Sequence, residues 1–393
     1  MTKEQAKEIW RLRKQDPHSD SVIEDTQILI GTCEDMCPID ERVERESLGD
    51  LNPFEITPES LGSSFPRVKH EWAVKKYVRA GFTGAARRPD LIRPPFVLQN
   101  TFRYLVSQVM SRDDVPLLSR YQLIRDRVRA ISQDFTLQSV TTERSAVEII
   151  MAIYEQSARF FILCAHLLCE EPQANYDHAL NIDMISKLFI SLKGFYDQGH
   201  HSENEAEIRS YDLILSLQVP DSSDHSREYS AFQAVLDLQL LPVHLIRSPH
   251  IQLAILIITA LVTVDYASFF ALLSVAGYLH GCLMSLHFNT IRKSAFHQLV
   301  IACKGTISCA TILELFCFED EAELLSFCHH HRLTITPGDD SSNSSSRLNL
   351  NARSDLDFTK LLSTRRISHR IIERKRRWPL TSIVEFGGSS YII

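Results

Sequence analysis

The chain has 393 residues, enough for one large or two medium domains with substantial cores. At 44% hydrophobic and 23% charged, with 13 glycines and 15 prolines, it is neither collagen-like nor one continuous coiled coil nor disordered throughout. A formal net charge of -7 gives no general attraction to nucleic acid, so any such contact must come from a local patch.

Residues 1–50 are polar and charged, with a short motif at 31–45. The opening MTKEQAKEIWRLRK lacks the apolar stretch of a secretion signal. Pro53, Pro58 and Pro66, with Gly62, Ser63 and Ser64, give residues 51–66 the chemistry of an extended linker. From Val68 to about residue 330 the apolar spacing is helical. Between Val147 and Leu168, one apolar row (Val147, Ile150, Tyr154, Ala158, Phe161, Ala165, Leu168) is doubled by a second (Ile149, Ile153, Phe160, Leu163, Leu167). Glu155, Arg159 and Glu170 are left as a narrow polar strip. A helix apolar on two rows is packed between neighbours. Similar segments at 183–196, 206–218, 229–241, 251–264, 266–288 and 291–302 predict solenoid-like stacking without a strict repeat. The most apolar run, Ile251 to Val264, is fourteen residues. A bilayer span needs about 20, so this is a core helix and no membrane insertion is expected.

The pattern changes near Lys304. Helices are predicted at 308–316 and 320–331, a strand at 333–336, a flexible loop at 337–346 (PGDDSSNSSS) and a returning strand at 348–351. Helix, helix, hairpin is the order of a winged helix-turn-helix. The expected fold is therefore all-α: an extension with linker at 1–66, a solenoid-like helical domain at 67–303, and a winged-helix-like domain at 304–393. Ile383-Val384 near the end reads as strand-like.

Nine cysteines, an odd number in mostly apolar runs, predict reduced thiols rather than a disulfide frame, and so a nuclear or cytosolic setting. Cys33 and Cys37 flank Met36 and precede Pro38. A zinc site would need two further ligands with suitable spacing. The pattern instead predicts an apolar plug, with Glu41, Arg42 and Arg45 pinning the turn that follows. His329, His330 and His331 read as a solvated helix end, suited in their charged form to a helix C-terminus. No GxSxG, P-loop, HExxH or GxGxxG occurs, and no nucleophile has a base at motif spacing. The expectation is a protein that is not an enzyme and that needs no cofactor or metal.

The sharpest feature is RRISHRIIERKRR at 365–377, seven Lys/Arg against one acid. Ile367, Ile371 and Ile372 recur at helical spacing. This predicts a helix that docks by its isoleucines and presents Arg365, Arg366, Arg370, Arg374, Lys375, Arg376 and Arg377 to phosphates, with steeply salt-dependent binding. The competing reading is a solvated face or a nuclear-import signal. Trp378 either stacks on a base or belongs to the core.

At 31–45 the residues Gly31, Cys33, Met36, Cys37, Pro38, Glu41, Arg42 and Arg45 match G-x-C-x-x-M-C-P-x-x-E-R-x-x-R, which resembles the opening motif of the Sac-three/GANP family. Further blocks follow in order: Val74-Lys-Lys-Tyr77 with Arg79; Arg93-Pro94, Val97-Leu98, Thr101 and Tyr104-Leu105; Asp126-Arg127, Arg129, Ile131, Asp134 and Gln138; then Glu155, Arg159-Phe160, Ile162 and His166. Ser132 departs from the arginine of many members.

The resemblance implies a PCI-like helical core ending in a winged helix. It also implies the scaffold of the TREX-two complex, which couples transcription to mRNA export at nuclear pores. The implied partners are a PCI-domain protein and a small acidic subunit, with paired winged helices offering a basic platform to single-stranded RNA. The large scaffolds add Phe-Gly repeats before this domain and a centrin-binding helix after it. This sequence shows neither, so it looks like the short members linked to centrosome and spindle behaviour. A nuclear export scaffold and a cytoplasmic or centrosomal interaction scaffold without RNA are thus both expected readings.

Overall fold

A computed structural model describes residues 29–79, 88–138, 143–217, 224–336, 346–351 and 356–387, with the side chains of 224–231 excepted. The serine-rich loop predicted at 337–346 therefore lies almost wholly outside the described residues. The protein is mostly helical, with three short strands among the described residues. It divides into two compact units, Met1–Ser157 and Ala158–Ile393.

In the first unit the helices are α1 (Ile39–Leu48), α2 (Pro95–Tyr104), α3 (Leu117–Gln138) and the first part of α4 (Arg144–Leu167). Pro38 starts α1 and Gly49, in the left-handed conformation at φ 70°, ends it. Helix α2 opens with Pro95 at its first turn and runs on as a single π-helical stretch, Leu105–Met110. Residues 68–79 and 88–94, expected to be helical, are instead extended or in single turns. Their amides bond outward: Lys75 donates to the Met36 carbonyl at 3.0 Å and Tyr77 to the Asp126 carboxylate at 3.2 Å, which leaves no i→i−4 ladder. Residues 53–60 carry two 3-10 turns, and Ile56 bridges Val68. The stretch read as a linker is thus folded onto its neighbours.

The second unit holds the rest of α4 and then α5 (His178–Asp197), α6 (Glu205–Ser216), α7 (Asp224–Leu240), α8 (Val243–Ile246), α9 (Pro249–Val262), α10 (Tyr266–Val275), α11 (Tyr278–Ser285) and α12 (Phe288–Ala302). The starts are chemically marked. Asp177, Ser248 and Asp265 each accept a backbone N–H from the first turn of the helix they precede. The helix expected over 266–288 breaks at Ala276 and Gly277, both extended, into α10 and α11. Glu155 and Arg159, expected as a polar strip on α4, are both buried.

After α12 come β1 (Thr306–Ser308), α13 (Cys309–Leu315), α14 (Glu321–His330), β2 (Thr334–Thr336) and β3 (Arg347–Asn349). The sheet order is β1-β3-β2, all antiparallel, with Leu348 opposite both Ile307 and Ile335. The first of these strands has no counterpart among the predicted elements. Phe296 of α12 packs on Phe316, Phe318 and Phe327, with ring centroids 4.7 to 6.4 Å apart, joining α12 to α13 and α14. His331, expected to be solvated, is fully buried. Its ring stacks on Phe358 at 5.1 Å, and burial lowers its pKa, so the neutral form is favoured. The last helix among the described residues is α15 (Leu380–Phe386), where Ile383-Val384 had been read as strand-like.

Candidate partner and nucleic-acid interfaces

In the first unit the motif at 31–45 is the centre of a buried polar network. Gly31 donates its N–H to Gln138 Oε1 at 3.0 Å, and a Cβ at this position would fall 2.4 Å from the Ile92 carbonyl oxygen. Only glycine permits so close a backbone approach. Cys37 is fully buried against Val68 and Ala73, with Leu51 beside them, and burial raises its thiol pKa well above the ordinary value. Cys33 is also buried, and Met36 half-buried. Pro38 is buried as well.

The charged half of the motif does more than pin the next turn. Arg42 reaches Asp35 at 2.6 Å and the His70 carbonyl at 3.2 Å. Arg45 pairs with Glu55 and bonds the Val74 carbonyl at 3.1 Å; Glu41 lies 3.5 Å from it and accepts the Lys76 N–H at 2.7 Å. Glu55 is 1% exposed. It also takes Arg127 at 2.9 Å and the Val74 N–H at 3.0 Å. A second hub is Asp134, which takes Lys75 at 2.6 Å and Arg93 at 2.7 Å. Gln138 closes the circle by donating to the Arg93 carbonyl at 2.8 Å. Four sequence blocks far apart in the chain thus meet in one place. Among the described residues no group of three or more His, Cys, Asp or Glu is arranged to hold a metal ion.

Glu55 was missed by sequence reasoning because a single acid in a proline-rich stretch has no periodicity. Its signal was local: Asn52-Pro-Phe-Glu55 forms a capping box, in which Asn52 accepts the Phe54 N–H and Glu55 accepts the Asn52 N–H.

In the second unit the basic run is not the expected helix. Residues 365–377 form an irregular strap with one 3-10 turn, Glu373–Lys375. The cause lies in where its side chains go. Ile372 is fully buried and stands against Gly281 of α11, close enough that a Cβ there would sit 3.5 Å from it. Glu373 accepts the Tyr278 hydroxyl at 2.8 Å and faces His166 at 3.5 Å. Lys375 places its ammonium on the Leu273 and Ala276 carbonyls at the C-terminal end of α10, and burial lowers its pKa to about 8. Arg365 is half-buried against His178, whose pKa falls to about 3 through burial first and this neighbour second. Arg366 pairs with Asp320 at 2.6 Å and approaches Glu170; Arg376 pairs with Glu373 at 3.3 Å. Arg370 receives Glu319 on its backbone N–H at 2.9 Å and turns one guanidinium nitrogen to the Phe318 carbonyl. Beyond the strap, Arg159 binds Glu207 at 2.7 Å and the Val384 carbonyl at 3.3 Å, which fastens α15.

Of the seven cations, Arg374 and Arg377 alone make no ion pair or hydrogen bond among the described residues. Both are exposed, and Trp378 beside them is 54% exposed rather than core. The unpaired charges are therefore fewer than the sequence implied, and both lie toward the C-terminal end of the strap, while Arg366, Arg370 and Arg376 are exposed but engaged. Exposed Lys304, Arg332, Arg347 and Lys360 add cations on and around the three-stranded sheet.

The sequence model of the SAC3/GANP family matches residues 36–337. The chain is 30% identical over 390 residues to SAC3 family protein 1 of Schizosaccharomyces pombe, a match covering 91% of this chain and 35% of that protein. It is 32% identical over 286 residues to SAC3 family protein B of Arabidopsis thaliana, covering 70% and 16% respectively. It is 28% identical over 323 residues to Protein xmas of Drosophila melanogaster, covering 78% and 14%. The chain thus spans about a third or less of the length of these relatives.

Proposed function

This chain belongs to the SAC3/GANP family, and from that premise we propose that it is a non-enzymatic scaffold subunit of a TREX-two-type mRNA-export assembly in the nucleus. Its helical part is read as a PCI-like stack and its C-terminal part as a winged helix. The partners are a PCI-domain protein and a small acidic subunit. RNA is contacted at the solvent-facing end of the strap, by Arg374, Arg377 and Trp378, with the sheet cations in support.

One observation carries this reading. A strand–helix–helix–strand–strand unit follows the helical region, and two exposed cations of the strap beyond it, Arg374 and Arg377, make no ion pair among the described residues. Phosphate contacts of that kind give affinity without sequence preference. The non-enzymatic part is supported by the thiols. Burial raises the pKa of Cys33, Cys37, Cys282, Cys309, Cys317 and Cys328, and that of Cys169 to about 12, which keeps them from acting as nucleophilic thiolates.

The interaction scaffold without RNA, at centrosomes or the spindle, is favoured by a different fact: five of the seven strap cations are engaged within the chain. The two readings part on one experiment. Arg374→Glu with Arg377→Glu in the full chain should abolish most single-stranded RNA binding at low salt while tagged protein still co-purifies its PCI-domain partner. Parental RNA binding by that variant puts the interaction scaffold first. Absence of the partner from the purified unmodified protein removes both.

A further inference from the structure

We propose that the first unit carries a second single-stranded RNA surface, formed by Arg125 and Arg129 of α3 with Tyr77 and Arg79 of the segment that lies along that helix. It rests on the preceding reading only in that the chain binds RNA at all; its residues are different and lie in the other unit.

The first ground is what the fold has already used. Arg42, Arg45, Lys75, Arg93 and Arg127 are each held by a carboxylate, most of them by the buried acids Glu55 and Asp134. Arg79, Arg125 and Arg129 make no ion pair among the described residues. The nearby acid Asp126 is answered by Arg127 and by the Tyr77 N–H. Glu55, deeper in, is answered by both Arg45 and Arg127. Three cations therefore stand on this face without an ion pair among the described residues, in a chain that is net negative.

The second ground is geometry. The segment at 77–79 is fixed to α3 by the Tyr77 N–H on Asp126 and by Gln133, which donates to the Val78 carbonyl at 3.0 Å. The Arg129 guanidinium carbon lies 3.8 Å from the Tyr77 ring centroid. Arg125 is one turn earlier on the same helical face. Arg79 is exposed, while Tyr77, Arg125 and Arg129 are half-exposed. A guanidinium held over a phenol ring is pre-organised: its N–H edge remains available to phosphate, and planes of this kind stack on splayed bases. An acidic protein surface would use the charge and leave the aromatic partner without a role. A polyphosphate chain with unstacked bases uses both.

The test uses the full chain and a short fluorescent poly-uridine. Arg125→Glu with Arg129→Glu should weaken binding and lower the slope of log K against log salt by about 1.4, from about 0.7 for each of two single-strand phosphates no longer neutralised. Ultraviolet crosslinking of the parent should place a nucleotide on Tyr77. Arg129→Lys keeps the charge and removes the plane, so it should keep the slope and weaken affinity; it also guards against misfolding of the double variant. Parental affinity and slope in the double variant, beside a weakened Arg374→Glu/Arg377→Glu protein, overturn this surface and leave the strap reading intact. The reverse pattern supports this surface and overturns the strap. A parent that binds no RNA overturns both. Displacement of the RNA by polyglutamate as effectively as by unlabelled RNA would assign the face to an acidic protein and overturn the proposal.

Discussion

Replacing Glu55 with alanine tests whether the buried network holds the first unit together. Glu55 neutralises Arg45 and Arg127, both buried, and accepts the buried Val74 amide at 3.0 Å. Removing one partner of a buried ion pair costs about 3–5 kcal/mol, because a charge is left without compensation in a poorly solvated place. The missing acceptor for Val74 adds about 1–3 kcal/mol, with incomplete additivity because the groups touch. The expected total is at least about 3–5 kcal/mol. Global melting is a poor reporter in a chain with two compact units, since unfolding need not be two-state. Hydrogen exchange of the α1 and α3 amides is the direct assay: their opening free energy should fall by the stated amount. Glu55→Gln retains an acceptor for Val74 without the charge and should fall between parent and alanine. As a control, Arg144→Ala breaks an exposed pair with Glu148 and should change stability by no more than about 0.5 kcal/mol. If Glu55→Ala exchanges like the parent at α1 and α3, the network is ornamental and the reasoning fails.

His280 is fully buried; burial, and then its neighbour His250, lower its pKa to about 3, against about 6.5 when unfolded. Between those values the unfolded chain binds the proton that the folded one refuses, so this contribution is complete above pH 6.5 and is lost as pH falls toward 3, at about 1.4 kcal/mol per pH unit. In His280→Gln, opening free energies from hydrogen exchange of the α11 amides at about pH 7 and about pH 5 should therefore differ by about 2 kcal/mol less than in the parent; parallel profiles refute it. Ile372→Ala should cost about 2–5 kcal/mol by leaving a cavity against Gly281, read as a lowered opening free energy in hydrogen exchange of the α11 amides; a cost below about 1 kcal/mol would mean the strap is only laid on the surface.

Most of the helices from α4 to α12 were legible because their apolar spacing is strong, and the starts at Asp177, Ser248 and Asp265 carry their own caps; the short α8 was not among the predicted segments. The burial of Cys33 and Cys37 was legible too, as small apolar side chains beside a proline. What failed has a common cause: polar residues were assumed to face water. Glu155 and Arg159 on α4, and His331 after α14, are buried, Arg159 with the Glu207 carboxylate as its partner and His331 against the Phe327 and Phe358 rings. The basic run misled in the opposite direction. Its isoleucines have helical spacing, but Ile372 is buried against Gly281 of α11, and Glu373, Lys375 and Arg366 are drawn onto three different elements. No local pattern records a slot or a carbonyl on a distant helix. The break at Ala276-Gly277 was visible as a glycine, yet the apolar run continued through it.

The residues that carry the family resemblance are, for the most part, those that the fold consumes. Gly31 is required by the Ile92 carbonyl, Cys37 by the Val68 and Ala73 packing, Arg45 by Glu55, and Arg93 by Asp134. Each has a reason that is complete inside the chain. The resemblance therefore speaks with force about architecture and says little about what the surface touches. The same logic limits how the surface can be probed. The strap carries Ile372 into the α11 slot and Lys375 onto the end of α10, so cutting the chain after Lys304 removes packing as well as charge, and failure to hold a partner would then have two explanations. Single charge reversals at positions the fold does not use avoid this. Arg79 in one unit, and Arg374 and Arg377 in the other, are such positions; Arg125 and Arg129 form no ion pair among the described residues but lie over the Tyr121 and Tyr77 rings, so Arg129→Lys is the milder probe there. Whether this protein handles RNA or only protein is tested at these side chains, none of which is held by a carboxylate among the described residues.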